Sequence, residues 1–240
     1  MEKLIKSVFW TLVLLAMLLG IPKFAGFVAD VFSYASIDPD GSFAWIYVHH
    51  IVQTIIFIII IAGLSRYKSF DFGLGWGNKA AGRKCVLLFM LFFSIYTVGA
   101  FSTVIMSGGF EHFTYPLTTN NIIGQMSFQL LMSGPSEELI FRAFAITTLS
   151  MFYKGRILGN KVSIANVIAA VIFALAHVRW SIIPFEISYS SFQLVYALVL
   201  GIFYGDCYEK SGSVYYPMIM HSFSNVVMVG VTIIASFLIS

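Results

Sequence analysis

The sequence predicts an all-α protein, a polytopic bundle of seven or eight transmembrane helices, and three observations carry that expectation. Hydrophobic residues make up 59% of the 240 residues and charged residues only 10%, with a mean hydropathy of +0.88; soluble domains average roughly 25% charged. Apolar stretches at residues 8–21, 46–64, 86–106 and 164–176 approach or reach the roughly 20 residues that a spanning helix needs. The connections between spans alternate in basic content, as the loops of a membrane protein do. No linker, internal repeat or low-complexity segment interrupts the chain, so residues 1–240 are expected to form one integral membrane domain.

Each element follows from local composition. The first stretch trails Lys3 and Lys6 and imitates a secretory signal, but no A-x-A cleavage site closes it and further spans follow, so it is expected as a retained first helix. Its basic start is expected in the cytoplasm; the loop after it carries Asp30, Asp38 and Asp40 against Lys23 alone and is expected outside. The connection with Arg66, Lys68, Lys79, Arg83 and Lys84, and the one with Lys154, Arg156 and Lys161, are expected in the cytoplasm. Between them, residues 108–120 hold Glu111 and no lysine or arginine, which places that loop outside.

Residues 121–152 read as a helix broken at Gly134-Pro135, with Ser136 as the N-cap of the second arm. A first arm of about 13 residues reaches only about 20 Å, short of the roughly 30 Å hydrocarbon core, which leaves the span count at seven or eight. Further helices are expected at residues 162–176, 192–208 and 217–240, with Gly201 and Gly205 four apart to allow close helix contact. His49 and His50 read as interfacial residues at the mouth of the second span. Cys85 and Cys207 have no metal-ligand spacing and read as ordinary buried thiols.

Chemistry is concentrated at three places. Glu137, Glu138 and Arg142 open a strongly apolar helix. A charge at the bilayer centre costs at least about 2.5 to 3.5 kcal/mol, so such residues face a protein interior or a wet cavity. Glu138 and Arg142 are four apart, share a helix face and can pair, while Glu137 is turned about 100° away. A helix-start cluster at the membrane surface would also account for the carboxylates, although Arg142 is flanked by apolar residues on both sides. At the second place His177 closes the otherwise apolar helix of residues 164–176, where taken alone it reads as the interfacial end of a span. His221 and Asn225, four apart on the last helix, could form a clamp between helices. Together the three places supply the inventory of peptide hydrolysis: a base for water and donors for an oxyanion. The same groups could bind a metal or relay a proton, and spacing alone leaves these readings open.

In this order and on apolar segments, EExxxR at Glu137-Glu138 to Arg142, FxxxH at Phe173 to His177 and HxxxN at His221 to Asn225 resemble the CAAX protease and bacteriocin-processing family, also called CPBP or Abi. Ser211-Gly212-Ser213 and Phe70-Asp71-Phe72-Gly73-Leu74 are similar to the family as well. The resemblance covers the last half of the chain and puts the catalytic core at about residues 121–240. It implies an eight-helix intramembrane endopeptidase in which Glu137 and His177 activate water, His221 and Asn225 hold the oxyanion, and Glu138 and Arg142 orient these groups. It implies no cofactor; zinc is the less favoured alternative, since HExxH is missing. The partners implied are a peptide or membrane-protein substrate and the lipid bilayer, with no nucleic acid. The compact chain is similar to bacterial members, which implies a bacterial plasma membrane with the N-terminus in the cytoplasm. The alternative function is a non-catalytic immunity or regulatory protein that binds a peptide or membrane-protein partner. A transporter is disfavoured, because no inverted repeat is evident.

Overall fold

Apolar periodicity and length resolve into seven helices in a computed structural model that describes residues 2–68, 70–182 and 184–239. Helices α1 (Glu2–Ala29), α2 (Ala44–Lys68) and α3 (Lys79–Met106) come first. A composite helix α4 covers residues 119–149, followed by α5 (Ile164–Leu175), α6 (Ser191–Ser211) and α7 (Tyr215–Ile239). Five of them, all but α4 and α5, contain stretches long and apolar enough to cross a membrane. Two small antiparallel hairpins complete the described residues: β1 (Arg156–Ile157) with β2 (Val162–Ser163), and β3 (Arg179–Ile182) with β4 (Phe185–Ser188). The all-α membrane bundle expected from composition is the observed architecture, at the lower helix count.

The expected break at Gly134-Pro135 is absent. Residues 119–149 run as one helix whose α-helical turns are interrupted by two π-helical segments, Gln129–Ser133 and Leu139–Ile146. Proline inside an α-helix clashes with the preceding turn and removes a hydrogen bond. Here the turn before Pro135 has already widened to i→i+5 spacing, so the ring enters without ending the helix. Gly134 serves close packing instead: a Cβ there would lie 2.6 Å from Ser222 Oγ and 2.8 Å from the Ser222 backbone nitrogen on α7. Ser136 is accordingly no N-cap. It sits 1% exposed in mid-helix, where its hydroxyl accepts from Gln53 Nε2 at 3.0 Å and Thr54 Oγ1 at 2.7 Å, tying α4 to α2.

Residues Leu139–Ile146 are buried all round, Arg142 included, which makes α4 the central helix of the bundle. A helix apolar on every face has no lipid or water to prefer and is surrounded by others; α1, α2, α5, α6 and α7 do this. Against that core α5 and α6 approach closely, as the Gly201/Gly205 spacing leads one to expect. A Cβ at Gly201 would meet Ala170 Cβ at 3.1 Å, and one at Gly205 would overlap the Asn166 amide. Small residues let membrane helices gain dispersion contact where no hydrophobic driving force exists between them. At the end of the bundle where α2 stops, the two family-like loops bind each other: Val214 N–H donates to Gly73 O at 2.9 Å and Asn78 N–H to Ser211 O at 2.6 Å. Gly73 adopts φ +64, which spares it the cost a side chain would carry there.

Candidate active site

The two carboxylates of α4 diverge as their positions on the helix require. Glu138 is fully buried and pairs with Arg142 one turn on: Arg142 Nη2 donates to Oε1 at 3.3 Å, and Nε stands 2.9 Å from Oε2 without the alignment of a hydrogen bond. Aromatic faces hold the guanidinium, whose Cζ lies 4.8 Å from the Phe173 ring centre and 5.7 Å from that of Tyr204. Phe173 comes from α5 and Tyr204 from α6, so the buried arginine locks three helices together.

Glu137 is turned to the other side, where its side chain keeps 19% exposure and meets histidines. His50 Nε2 is 3.3 Å from Glu137 Oε1, and His221 Nε2 is 3.9 Å from Oε2. His177 lies on the wall of the same cavity.

Backbone acceptors assign the tautomers. His177 Nδ1 can only donate to Phe173 O at 2.9 Å, which leaves Nε2 as the nitrogen with a lone pair when the ring is neutral. His50 Nδ1 donates to Ile46 O at 2.9 Å in the same way, so its Nε2 also faces Glu137 as an acceptor. A close contact between that lone pair and a carboxylate is attractive only with a proton between them, carried by one group or the other. His49 follows suit: Nε2 donates to Pro22 O at 3.0 Å, and its Nδ1 stands 3.3 Å from His50 Nδ1.

His221 bridges the two carboxylates. Its Nδ1 donates to Glu138 Oε1 at 2.8 Å, its ring stacks on Tyr204 with centres 5.0 Å apart, and the Tyr204 hydroxyl bonds Ser224 at 2.7 Å. One turn further, Asn225 Nδ2 donates to Ser133 Oγ on α4 at 2.9 Å. The six residues singled out by the three motifs are thus brought together by α4, α5 and α7, with His221 and Asn225 behind Glu137 rather than on the cavity wall.

The cavity itself, about 800 Å³, descends between α1, α2, α5 and the β3–β4 hairpin to Glu137, Gln53 and His177. His50, expected at the membrane interface, is instead 5% exposed and lies against Glu137. A signal was present in the chain. His50, Gln53 and Thr54 occupy i, i+3 and i+4, a polar stripe on an otherwise apolar helix. The lipid-facing side of α2 carries Ile51, Ile55, Ile58 and Ile59 instead. A second groove of about 720 Å³ between α3 and α6 takes in Cys85 and Cys207 and none of the motif residues.

Residues 118–227 match the family model of type II CAAX prenyl endopeptidases, Rce1-like. No curated protein and no solved structure matches the chain.

Proposed function

From the match of residues 118–227 to the CAAX prenyl endopeptidase family model, we propose that this chain is an intramembrane endopeptidase in which Glu137 is the base that activates water. One observation carries the reading: a partly exposed carboxylate with imidazoles around it closes the deep end of a cavity in an apolar bundle. Water held between Glu137 and His177 Nε2 gives a proton to the carboxylate as its oxygen bonds to the substrate carbonyl carbon. The carbonyl electron pair moves to oxygen. His221, anchored through Nδ1 on Glu138, and Asn225 are the assigned oxyanion donors; both stand behind Glu137, so the substrate carbonyl must move past that carboxylate to meet them. Collapse restores the carbonyl and breaks the C–N bond, and the leaving nitrogen takes the proton from Glu137. Glu138 and Arg142 act through His221 as positioning residues.

His50 extends the set beyond the three motifs. It contacts Glu137 Oε1 while His221 faces Oε2, so each oxygen of the carboxylate has an imidazole beside it.

The reaction as written requires no metal. Purified full-length protein incubated with a quenched fluorescent peptide library, beside Glu137→Ala and in the presence of chelator, tests it. Cleavage that vanishes in the variant and survives chelation is the expected result. Loss of cleavage on chelation would replace the mechanism with a zinc one, and wild-type turnover by folded Glu137→Ala would remove Glu137 from it.

A further inference from the structure

The groove between α3 and α6 holds none of the motif residues and differs at its two ends. Along its length it is apolar: Leu88 and Phe89 on α3 and Val199 and Phe203 on α6 line it, over a floor of buried Cys207 and Met220. One end is spanned by rings. Tyr96 of α3 stacks on Tyr196 of α6 with centres 6.4 Å apart, and Phe192 stacks on Tyr196 at 5.8 Å. The other end carries charge, with Asp206 and Lys210 beside Cys85 and Cys207. From Cys85 at the charged end to Tyr96 at the ring pair is eleven residues of α3, about 16 Å at 1.5 Å per residue. Half of a hydrocarbon core of roughly 30 Å is about 15 Å, so the groove has the depth of a single leaflet.

The charged end is the one where α3 starts and α6 stops, and the two helix ends meet there through Asn78 N–H and Ser211 O. Lys84 precedes Leu88 by one helical turn and so stands on the groove stripe of α3, while Lys210 comes from α6. Lys210 is matched by Asp206, whose Oδ2 lies 2.5 Å from its Nζ. Lys84 and its neighbour Arg83 are exposed and have no ion-pair partner among the described residues. The entrance thus keeps two unmatched positive charges beside an apolar slot. Basic connections of this kind are retained on the cytoplasmic side, whose leaflet supplies anionic lipid.

We infer that this groove is a binding site for one anionic phospholipid of the leaflet at the basic end of the bundle. The phosphate sits at Lys84 and Arg83, and an acyl chain lies along Phe89 and Phe203 toward the Tyr96–Tyr196 pair. Three features select this occupant. The apolar walls leave the backbone groups of a peptide without partners, whereas a hydrocarbon chain needs none. A depth of about 16 Å suits a chain that ends near the midplane, while a helix of a partner protein or of a second copy would need a face about 30 Å long. The unmatched cations favour a headgroup of net negative charge over a zwitterionic one. The assignment is independent of the proteolytic reading, since no motif residue lines the groove.

Native mass spectrometry of the purified full chain, in detergent with equal amounts of dioleoyl phosphatidylglycerol and dioleoyl phosphatidylcholine, tests it. One phosphatidylglycerol retained per chain, in about tenfold preference over phosphatidylcholine, is expected. Arg83→Gln/Lys84→Gln should abolish the preference. Val199→Trp, at a position 45% exposed on the groove wall, should lower retention of both lipids. Equal retention of the two lipids by the native chain, an unchanged preference in the double variant, or native retention by folded Val199→Trp would each overturn the inference. So would a mass of twice the chain in place of the lipid adduct, which would put a second copy in the groove. A readout on the native chain needs no variant to fold: phosphatidylglycerol should slow alkylation of the half-buried Cys85 by N-ethylmaleimide severalfold relative to phosphatidylcholine. Equal rates with the two lipids would place the bound lipid elsewhere and remove the site.

Discussion

His221 Nδ1 lies 2.8 Å from Glu138 Oε1, while the opposite nitrogen of the same ring points at Glu137, 3.9 Å away. One imidazole thus links a carboxylate paired with Arg142 to a carboxylate that meets only imidazoles, and two adjacent glutamates acquire different surroundings from helix geometry.

The division of labour predicts opposite phenotypes for isosteric changes. Glu138→Gln leaves the fully buried Arg142 without its countercharge, and breaking a buried ion pair costs about 3–5 kcal/mol. We expect a large drop in the detergent unfolding midpoint for this variant. Arg142→Gln should show a similar loss, and Glu138→Gln/Arg142→Gln should recover part of it, a non-additivity read by thermal melts of all four proteins.

Glu137→Gln should behave in the other way, with an unfolding midpoint close to wild type and kcat lowered by about 10²- to 10⁴-fold, the span typical of a lost general base. A melting curve and a turnover number on the same preparation check both halves. Comparable stability loss in Glu137→Gln and Glu138→Gln would remove the distinction between them.

His50 supplies the prediction that sequence motifs do not make. His50→Ala frees Glu137 Oε1 from its 3.3 Å contact, and a misplacement of about 1 Å can cost about 10²-fold in rate. We expect kcat to fall by about that factor with KM little changed, and the pH–rate profile to move, because a proton shared with Glu137 is lost. His49→Ala, one contact further out, should have a smaller effect in the same direction. Steady-state kinetics across pH resolve the order; an unshifted profile in His50→Ala would reduce His50 to packing.

The contrast between motif residues and His50 shows what was legible in the chain. Glu138 and Arg142 are four apart, so their pairing is fixed by helical pitch and needs no tertiary information. Convergence of Glu137, His177 and His221 follows once the apolar segments pack. His50 was hidden for two reasons. It neighbours His49 at a span mouth, where histidine is ordinary, and its partner lies 87 residues away. The continuity of α4 was hidden too, because Gly134-Pro135 is a strong local breaker signal that a π-turn overrides. The β3–β4 hairpin left no pattern before the fold placed it at the cavity rim.

The close approach at Gly134 predicts a cost without any change of chemistry. A methyl group there would meet not only the Ser222 hydroxyl but the α7 backbone, at 2.8 Å from Ser222 N and 3.0 Å from Met218 O. Backbone cannot rotate aside as a side chain can, so Gly134→Ala must push α7 away from α4, and overpacking of this kind costs about 1–3 kcal/mol. His221 precedes Ser222 directly, so activity should fall further than stability alone explains. Gly134→Ala assayed well below its unfolding midpoint is the check, and wild-type kcat there would show that α7 yields without moving His221.

Asp38 offers a test outside the membrane. The carboxylate is 2% exposed in the loop before α2 and accepts from the backbone N–H groups of Ser42, Phe43 and Ala44 at 2.8, 2.7 and 2.7 Å, capping the start of that helix. Burial pushes its pKa up, but the three backbone donors outweigh burial and hold the carboxyl below the usual carboxylate range. A depressed pKa contributes stability that is fully present above the unfolded value of about 3.9 and is lost as the pH falls from there through the folded value. Asp38→Asn should therefore lower the unfolding midpoint at neutral pH by the equivalent of about 0.5–2 kcal/mol, the range for a lost cap. The gap between wild type and variant should narrow as the pH is lowered from 5 to 3, because the carboxyl of the unfolded chain is then protonated and the advantage of the hydrogen-bonded carboxylate in the folded state begins to be lost. A gap that stays constant over that range would mean that shape, not charge, fixes the start of α2 beside the helix that carries His50.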